Sequence, residues 1–508
     1  MKPDATEYGL LSLQLAATLP GMTQPLWLDE AFSALMARKS WLEIHRAMIH
    51  DAGPPLYYDL LHLWRCFVGE SEIALRLLSL LFSLVVTLLL YRFCLRWGEK
   101  RTAVGTSLFW ILSPLSIHYA QEVRNYTLFA ALSLAYVFYL FDFLFHHRRD
   151  SFIYSTILLI LSLYTHNTAW FLILAGFLAA VGFAWDRRKL LFLIGSYGIA
   201  LLLYLPWIPT LLAQMKNTEM TIGWVRQVWS PAAIAETFSA YIPGGRTPPY
   251  VDLVALPVPI QALNAILFSF LCGLALVHAW KNKEKQAGFI FLFLCVGLLG
   301  PYLYSFLRPP IYLAGRTDFF LFPLWCALIG YGLNYLPGKT IRLALPALLL
   351  LEMLLLNLFT VLRPDAYSER DVVQYLTRQG RRDEVILCTG LTRPTLEYYL
   401  QDRGFEFVSY PPDMARHLAH INENLYIENT DLRKSARESI HEAVSKKNGG
   451  GRFWVVGSER PINRPLFAQL QERRDWNANR IQTPSMGLRK LNEPIFLERY
   501  EYPDPGKP

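Results

Sequence analysis

Long apolar stretches recur through the first two thirds of the chain, and they limit its fold more than any other feature. A helix that crosses a membrane needs ~20 mainly apolar residues, somewhat fewer where the bilayer is thin. About eleven stretches are candidates for such helices, of which the first is weak and short. They lie near Tyr8–Leu19, Leu77–Phe93, Ala103–Ile117, Tyr126–Phe145, Phe152–Tyr164, Ala169–Trp185, Leu190–Ile208, Ile260–Trp280, Ala287–Phe306, Phe319–Leu336 and Ile341–Val361. With 53% hydrophobic and only 18% charged residues, the composition predicts a polytopic α-helical membrane protein and argues against a soluble or disordered chain.

Basic residues mark the loops that we expect on the cytoplasmic side. Lysine and arginine concentrate in cytoplasmic loops, and here they cluster in every second loop between the apolar stretches. The clustered residues are Arg96, Lys100, Arg101, Arg148, Arg149, Arg187, Arg188, Lys189, Lys281, Lys283, Lys285, Lys339 and Arg342. We therefore expect an integral protein of the inner or plasma membrane, with a cytoplasmic N-terminus and an extracytoplasmic C-terminal domain. Because these loops account for most of the net charge of +8, that charge gives no reason to expect nucleic-acid binding.

The last part of the chain has the composition of a small soluble domain. Short β-like runs alternate there with helix-like segments, which predicts an external α/β domain. The expected strands are Glu384–Thr389, Glu406–Tyr410, Arg452–Gly457 and Ile495–Tyr502. We therefore divide the chain into a membrane domain over residues 1–361 and a soluble domain over residues 362–508.

Two adjacent carboxylates, Asp29 and Glu30, follow the first apolar stretch in a loop that we expect outside the cytoplasm. Ionisable groups beside the membrane are costly and usually functional. Like charge and an apolar flank would raise the pKa of this pair, so Asp29 is a candidate general base. The alternative is that Asp29 only caps the helix that follows. Later in the same loop, His50 and Asp51 could be catalytic, or they could cap the following helix and anchor the loop.

Three arginines break the charge pattern of the external loops. Arg124, Arg308 and Arg316 lie in short loops that should be poor in basic residues. A guanidinium group can bind a phosphate through two parallel hydrogen bonds. The alternatives are ion pairs of Arg124 with Glu122 and of Arg316 with Asp318, or contacts with lipid headgroups.

Two further ionisable residues leave alternatives open. His166, in a tight external turn, could contact substrate or a metal, or it could serve only as a cap. Glu352 lies inside the last stretch, where it should be either protonated or paired within the bundle.

The order of these motifs resembles that of the GT-C membrane glycosyltransferases, in the branch that contains the protein O-mannosyltransferases and the aminoarabinose transferases that modify lipid A. The resemblance covers roughly residues 1–361 and depends on the places of the motifs in the topology. The matching motifs are Asp29-Glu30, Asp51 to Tyr58, Glu122 to Tyr126, Tyr164-Thr165-His166, and Arg316 before a proline-containing span. The family commonly has an Arg-Tyr pair at the last position, whereas here Arg316 is followed by Thr317.

The resemblance implies transfer of a sugar from a polyprenyl monophosphate to an extracytoplasmic hydroxyl of a lipid, glycan or protein acceptor, with inversion at the anomeric carbon. It makes Asp29 the base, with Glu30 beside it. It implies phosphate binding by Arg124, Arg316, Arg308 and Tyr126, and substrate contacts of His50, Asp51, Tyr57, Tyr58 and His166. It also allows a divalent cation bound at Glu122.

Three other functions are compatible with the spans. A ligase or polymerase that uses a lipid diphosphate would need the external arginines but not the Asp29-Glu30 pair. A transporter or flippase for lipid-linked sugars would place its binding groups near the midplane and often show repeat symmetry, and the sequence has no visible repeat. A membrane anchor for a recognition domain would leave the clustered ionisable residues without a role.

Overall fold

The computed structural model describes residues 4–97, 99–217, 223–248, 251–363, 367–412, 423–446, 451–473, 475–483, 485–488 and 493–502. These residues form two compact units. The first consists of Met1–Thr23, Gly53–Leu212 and Val225–Arg363, and the second of Gln24–Ala52, Ala213–Trp224 and Pro364–Pro508.

The first unit is a bundle of α-helices. Its helices are Ala5–Thr18, Leu56–Val68, Glu72–Trp97, Lys100–Leu112, Pro114–Ala120, Tyr126–His146, Arg149–Leu163, Trp170–Phe183, Arg187–Tyr204, Val225–Val228, Ala233–Tyr241, Val258–Lys281, Lys285–Leu307, Phe322–Leu333 and Lys339–Leu362. The helix Ile208–Lys216 contains the boundary between the units at Leu212. Every predicted apolar stretch is helical, although Ala103–Ile117 is interrupted at Ser113, before Pro114.

Six of the described helices are long and apolar enough to cross a membrane. They are Glu72–Arg96, Tyr126–His146, Arg187–Lys216, Val258–Lys281, Lys285–Leu307 and Lys339–Leu362. Asn167–Phe183 and Phe319–Leu333 are apolar but shorter. An integral membrane protein is therefore confirmed, whereas the count of about eleven spans stays a prediction.

Two acidic side chains inside the bundle have partners on other helices. Asn264 Nδ2 donates a hydrogen bond of 2.7 Å to Glu352 Oε1, so the acid predicted to be protonated or paired has a partner on another helix. Arg96 forms an ion pair with the buried Asp142. Since an isolated charge is costly in an apolar surrounding, such pairs help to fix the register between helices.

The second unit contains a five-stranded sheet, in agreement with the predicted C-terminal domain. Its strands are β1 (Val385–Thr389), β2 (Glu406–Tyr410), β3 (Gly451–Gly457), β4 (Asn477–Ile481) and β7 (Phe496–Tyr502), and β5 (Gly487–Leu488) and β6 (Glu493–Pro494) form a separate pair. The strand order is β2-β1-β3-β7-β4. β1, β2 and β3 are parallel, and β7 is antiparallel to β3 and β4. The edge strand β4 was not expected, because its polar, exposed residues lack an apolar pattern.

Helices from the C-terminal region cover this sheet, and two further helices of the same unit come from an earlier loop. The helices of the unit are Leu28–Arg38, Trp41–Ala47, Glu369–Gln379, Arg393–Leu400, Glu423–Asn429, Leu432–Ser445 and Arg464–Gln471. The first two belong to the loop that carries Asp29 and Glu30. That loop is therefore part of the same compact unit as the C-terminal sheet, although more than 300 residues separate them in the sequence.

Candidate active site

Arg316 is a buried arginine in the loop between the helices Lys285–Leu307 and Phe322–Leu333. Only 7% of the residue is exposed. Its Nε donates a hydrogen bond to the hydroxyl of Tyr126, the first residue of the helix Tyr126–His146. The guanidinium carbon lies 5.5 Å from the centre of the Tyr126 ring. Two residues predicted to bind the donor phosphate are therefore in direct contact.

Tyr119 holds the loop that carries Arg316. Its hydroxyl donates a hydrogen bond of 2.7 Å to the carbonyl of Gly315. Gly315 has φ +72°, in the left-handed region that favours glycine. The Tyr119 ring also contacts the rings of Tyr126 and Phe319, at centroid distances of 4.7 and 4.4 Å. The backbone before Arg316 is thus fixed from one side by Tyr119.

Asp318 holds the same loop from its other end. Its Oδ2 accepts hydrogen bonds from Thr237 Oγ1 and from the hydroxyl of Tyr312, and its carbonyl accepts one of 2.7 Å from Tyr241. Burial raises the pKa of Asp318 to about 6. The Asp318 carboxylate, for which the sequence suggests an ion pair with Arg316, is thus bound by the hydroxyl groups of Thr237 and Tyr312. Thr237 lies too far away in the sequence to suggest this role.

Arg124 lies in a second cluster, which joins the loop after residue 52 to the turn before Tyr126. Arg124 Nη1 donates a hydrogen bond of 3.3 Å to the hydroxyl of Tyr58. Ser79 Oγ donates one of 2.6 Å to the carbonyl of Glu122 and lies 3.3 Å from the hydroxyl of Tyr57. The structure therefore brings the Tyr57-Tyr58 pair against the Glu122 to Arg124 turn.

His166 lies in the turn between the helices Arg149–Leu163 and Trp170–Phe183. Its Nδ1 accepts a hydrogen bond of 3.1 Å from the Thr168 backbone N–H, and its ring stacks on Phe129 at 5.1 Å. Burial, together with the smaller effect of the positive charges of Arg124 and Arg316, lowers the pKa of His166 to about 3. The ring is therefore neutral near pH 7, and because Nδ1 accepts, its proton is on Nε2. His166 presents a neutral donor beside two cations.

Asp29 and Glu30 lie in the second unit, in the first turn of the helix Leu28–Arg38. Both are almost fully buried, with 0% and 1% of the residue exposed. The Trp27 backbone N–H donates a hydrogen bond of 3.3 Å to Glu30 Oε2. Glu30 therefore acts at the helix start, where the N-cap residue is Trp27. The alternative that Asp29 is itself the N-cap is therefore wrong, and the role of Asp29 as the base stays a prediction.

The other residues predicted to contact phosphate or substrate are Arg308, His50 and Asp51, and none of them is fully buried. Arg308 is exposed just after the helix Lys285–Leu307, and its guanidinium makes no hydrogen bond or ion pair with the described residues. His50 is exposed at the end of a short 3-10 turn, Met48–His50, and Asp51 follows it, half-buried.

The divalent cation expected at Glu122 stays a prediction. Within the described ranges, no group of three or more His, Cys, Asp or Glu side chains is arranged to hold a metal ion. Stable cation sites usually combine several such ligands.

A comparison with known families agrees with the resemblance drawn from the sequence. Residues 52–211 match the family model described as dolichyl-phosphate-mannose-protein mannosyltransferase. This segment contains Tyr57, Tyr58, Glu122, Arg124 and His166. A search of curated proteins gave no match.

Solved structures share the fold over almost the whole chain. ArnT from Cupriavidus metallidurans in the apo state superposes with a TM-score of 0.60 at 12% identity, covering 97% of each chain. The same protein bound to undecaprenyl phosphate gives a TM-score of 0.60 at 12% identity, covering 98% of each chain. An oligosaccharyltransferase from Archaeoglobus fulgidus gives 0.48 at 10% identity, covering 89% of this chain and 69% of that chain. The two ArnT structures thus show that this chain shares their fold, and the family match over residues 52–211 agrees with the resemblance to the GT-C membrane glycosyltransferases.

Proposed function

We propose that this protein transfers a sugar from a polyprenyl monophosphate to an acceptor hydroxyl on the extracytoplasmic side of the membrane, with inversion. The observation that carries the proposal is the contact of the buried Arg316 with the hydroxyl of Tyr126, which brings together two residues assigned to the donor phosphate. Arg124, the other arginine, lies two residues before Tyr126. A guanidinium group can bind a phosphate through two parallel hydrogen bonds.

The two arginines stabilise the leaving group. As the bond between the anomeric carbon and the phosphate oxygen breaks, negative charge increases on the phosphate. Guanidinium donors that are already oriented stabilise such charge without further reorganisation. Tyr126 fixes the Nε edge of Arg316, and Tyr58 contacts Arg124, so both cations are held before the donor arrives.

His166 supplies a neutral hydrogen bond beside this charge. With Nδ1 occupied by Thr168, its Nε2–H donates to a phosphate or sugar oxygen. A neutral donor adds no further positive charge to a site that already has two arginines, which limits the repulsion in the empty enzyme.

Asp29 is the general base in this mechanism. It removes the proton of the acceptor hydroxyl while the oxygen attacks the anomeric carbon from the face opposite the phosphate. By analogy with inverting glycosidases, one base and no covalent intermediate give inversion. Glu30 supports the helix that carries Asp29 through its hydrogen bond with Trp27.

The donor class is supported by ArnT, which shares this fold and has been solved with undecaprenyl phosphate. We include lipid, glycan and protein acceptors in this proposal. We also propose that the N-terminus is cytoplasmic and that the C-terminal sheet domain is extracytoplasmic.

The test is transfer of radiolabelled sugars from polyprenyl monophosphates into lipid, glycan and protein fractions, by purified wild type and Asp29→Asn. We expect label in one fraction with wild type only. Equal transfer by both proteins would remove Asp29 as the base. Transfer only from a lipid-diphosphate donor, offered in parallel, would replace the proposal by a ligase or polymerase, and no transfer from any donor would favour a transporter.

A further inference from the structure

The helix that carries Asp29 is attached to the C-terminal sheet domain just before its first turn. The backbone N–H of Leu26 donates a hydrogen bond of 2.8 Å to the hydroxyl of Tyr399. Leu26 is fully buried, so this hydroxyl satisfies a backbone donor that water cannot reach. The hydroxyl of Tyr399 therefore holds the backbone at Leu26, three residues before the proposed base Asp29.

The other end of the same helix contacts the same segment of the domain. Arg38 Nη1 donates a hydrogen bond of 3.1 Å to Gln401 Oε1, and Arg38 Nη2 lies 3.4 Å from Asp402 Oδ2. The Arg38 guanidinium also lies over the ring of Tyr398, 5.3 Å from its centre. The run Tyr398–Asp402 thus contacts the chain on both sides of Asp29.

This run is itself anchored in the domain core. Leu396 and Leu400, from the helix Arg393–Leu400, are buried against β1 and β3 residues such as Ile386 and Trp454, and Tyr399 packs against the same cluster. The contacts on the Asp29 helix therefore come from a rigid part of the sheet domain.

We propose that the C-terminal domain positions the catalytic base, with Tyr399 and Arg38 as positioning residues. This inference rests on the proposed function, because it assumes that Asp29 is the base. An 11-residue helix is only marginally stable by itself. Proton transfer depends on placement within about 1 Å, and misplacement can reduce the rate by about a hundredfold. The domain supplies the second surface that such a helix requires.

The test is Tyr399→Phe, which removes one hydroxyl and keeps the ring in the core. We expect kcat to fall about tenfold or more, with KM for the polyprenyl-phosphate donor within about twofold of wild type, because phosphate binding is assigned to Arg124 and Arg316. Tyr500→Phe is the matched control: it also removes a buried hydroxyl, bonded to Glu498, in the same domain but away from the run Tyr398–Asp402. Its kcat should stay near that of wild type.

Residual rates in the Asp29→Asn background distinguish a positioning role of Tyr399 from a purely structural one. If Tyr399 acts through Asp29, then D29N and D29N/Y399F have the same residual rate, whereas general damage lowers the rate of the double variant further. Arg38→Lys should retain more kcat than Arg38→Ala, since lysine keeps a charge toward Asp402. These two variants serve as the test if Tyr399→Phe does not fold.

The outcomes separate this inference from the proposed function. Full activity of Asp29→Asn would overturn both. An inactive Asp29→Asn together with a Tyr399→Phe whose kcat equals that of Tyr500→Phe would overturn the positioning role alone. A lower residual rate of D29N/Y399F than of D29N would also overturn it.

Discussion

Arg316 donates a hydrogen bond through its Nε to the hydroxyl of Tyr126, across 190 residues of sequence. Because guanidinium N–H groups have a fixed planar arrangement, a bond at Nε restricts the orientations that the other N–H groups can adopt. The guanidinium predicted to bind phosphate is therefore held by the first residue of the helix Tyr126–His146.

Replacing Arg316 should therefore affect the donor step strongly. We expect Arg316→Ala to lower kcat/KM for the donor by about 100- to 1,000-fold, the usual effect of removing one oriented donor from a developing charge. Tyr126→Phe should lower it less, since the charge remains. Steady-state kinetics with a polyprenyl-phosphate sugar measures both. Arg308→Ala is the comparison, because Arg308 is exposed; an equal loss there would contradict a special role for Arg316.

The low pKa of His166 predicts a pH-dependent contribution to stability. In the unfolded chain His166 takes up a proton below pH 6.5, whereas the folded protein does not until about pH 3. The unfolded state therefore binds more protons in this window, and His166 makes stability fall as the pH is lowered. At pH 5 the loss is at most about 2 kcal/mol. His166→Gln should remove this part of the pH dependence of stability, measured by thermal unfolding between pH 7 and pH 5. If the pH dependence of the variant equals that of wild type, the burial of a neutral His166 ring is contradicted.

The raised pKa of Asp318 predicts that stability depends on pH with the opposite sign. Its pKa is raised from 3.8 to about 6, so between these values the folded state holds a proton that the unfolded state has lost. Stability from this group is complete below pH 3.8 and is lost as the pH rises toward 6, by about 2 to 3 kcal/mol. Asp318→Asn should remove that loss, so that its advantage over wild type in thermal unfolding grows from pH 4 to pH 7. An advantage that shrinks over this range would mean that the carboxylate is charged in the folded protein.

Close helix packing at Gly176 predicts a destabilising substitution. A Cβ at this position would lie 2.5 Å from the Tyr136 hydroxyl and 2.8 Å from the Tyr197 hydroxyl, which are themselves 3.1 Å apart. Gly176→Ala should lower the free energy of unfolding by about 1 to 3 kcal/mol.

Gly195→Ala is the matched control in a neighbouring helix. No atom lies within 4 Å of a Cβ built there, so this change should be neutral or stabilising by a few tenths of a kcal/mol or more. Thermal unfolding in detergent compares the two variants, and equal effects would contradict the close contact at Gly176.

The helical membrane half and the C-terminal strands were predictable because both depend on local pattern. Apolar stretches bounded by basic loops locate the helices, and short runs of β-branched, aromatic and other apolar residues locate β1, β2, β3 and β7. The strand β4 was missed, since Asn477–Ile481 forms an edge through its backbone bonds to β7 and not through an apolar face. The membrane character is likewise a property of composition, whereas the number of spans also depends on which shorter helices cross the bilayer.

The sequence by itself determined which residue types were out of place: acids after the first apolar stretch and arginines in external loops. Only the tertiary structure decided their partners. It placed Tyr126 on Arg316, Tyr58 on Arg124, and Tyr399 beside the start of the Asp29 helix. The physical reason is that burial costs and topology rules act on each residue locally, whereas a hydrogen bond between distant residues depends on how helices pack. Such packing is set by side-chain volumes along entire helices, which no single motif contains.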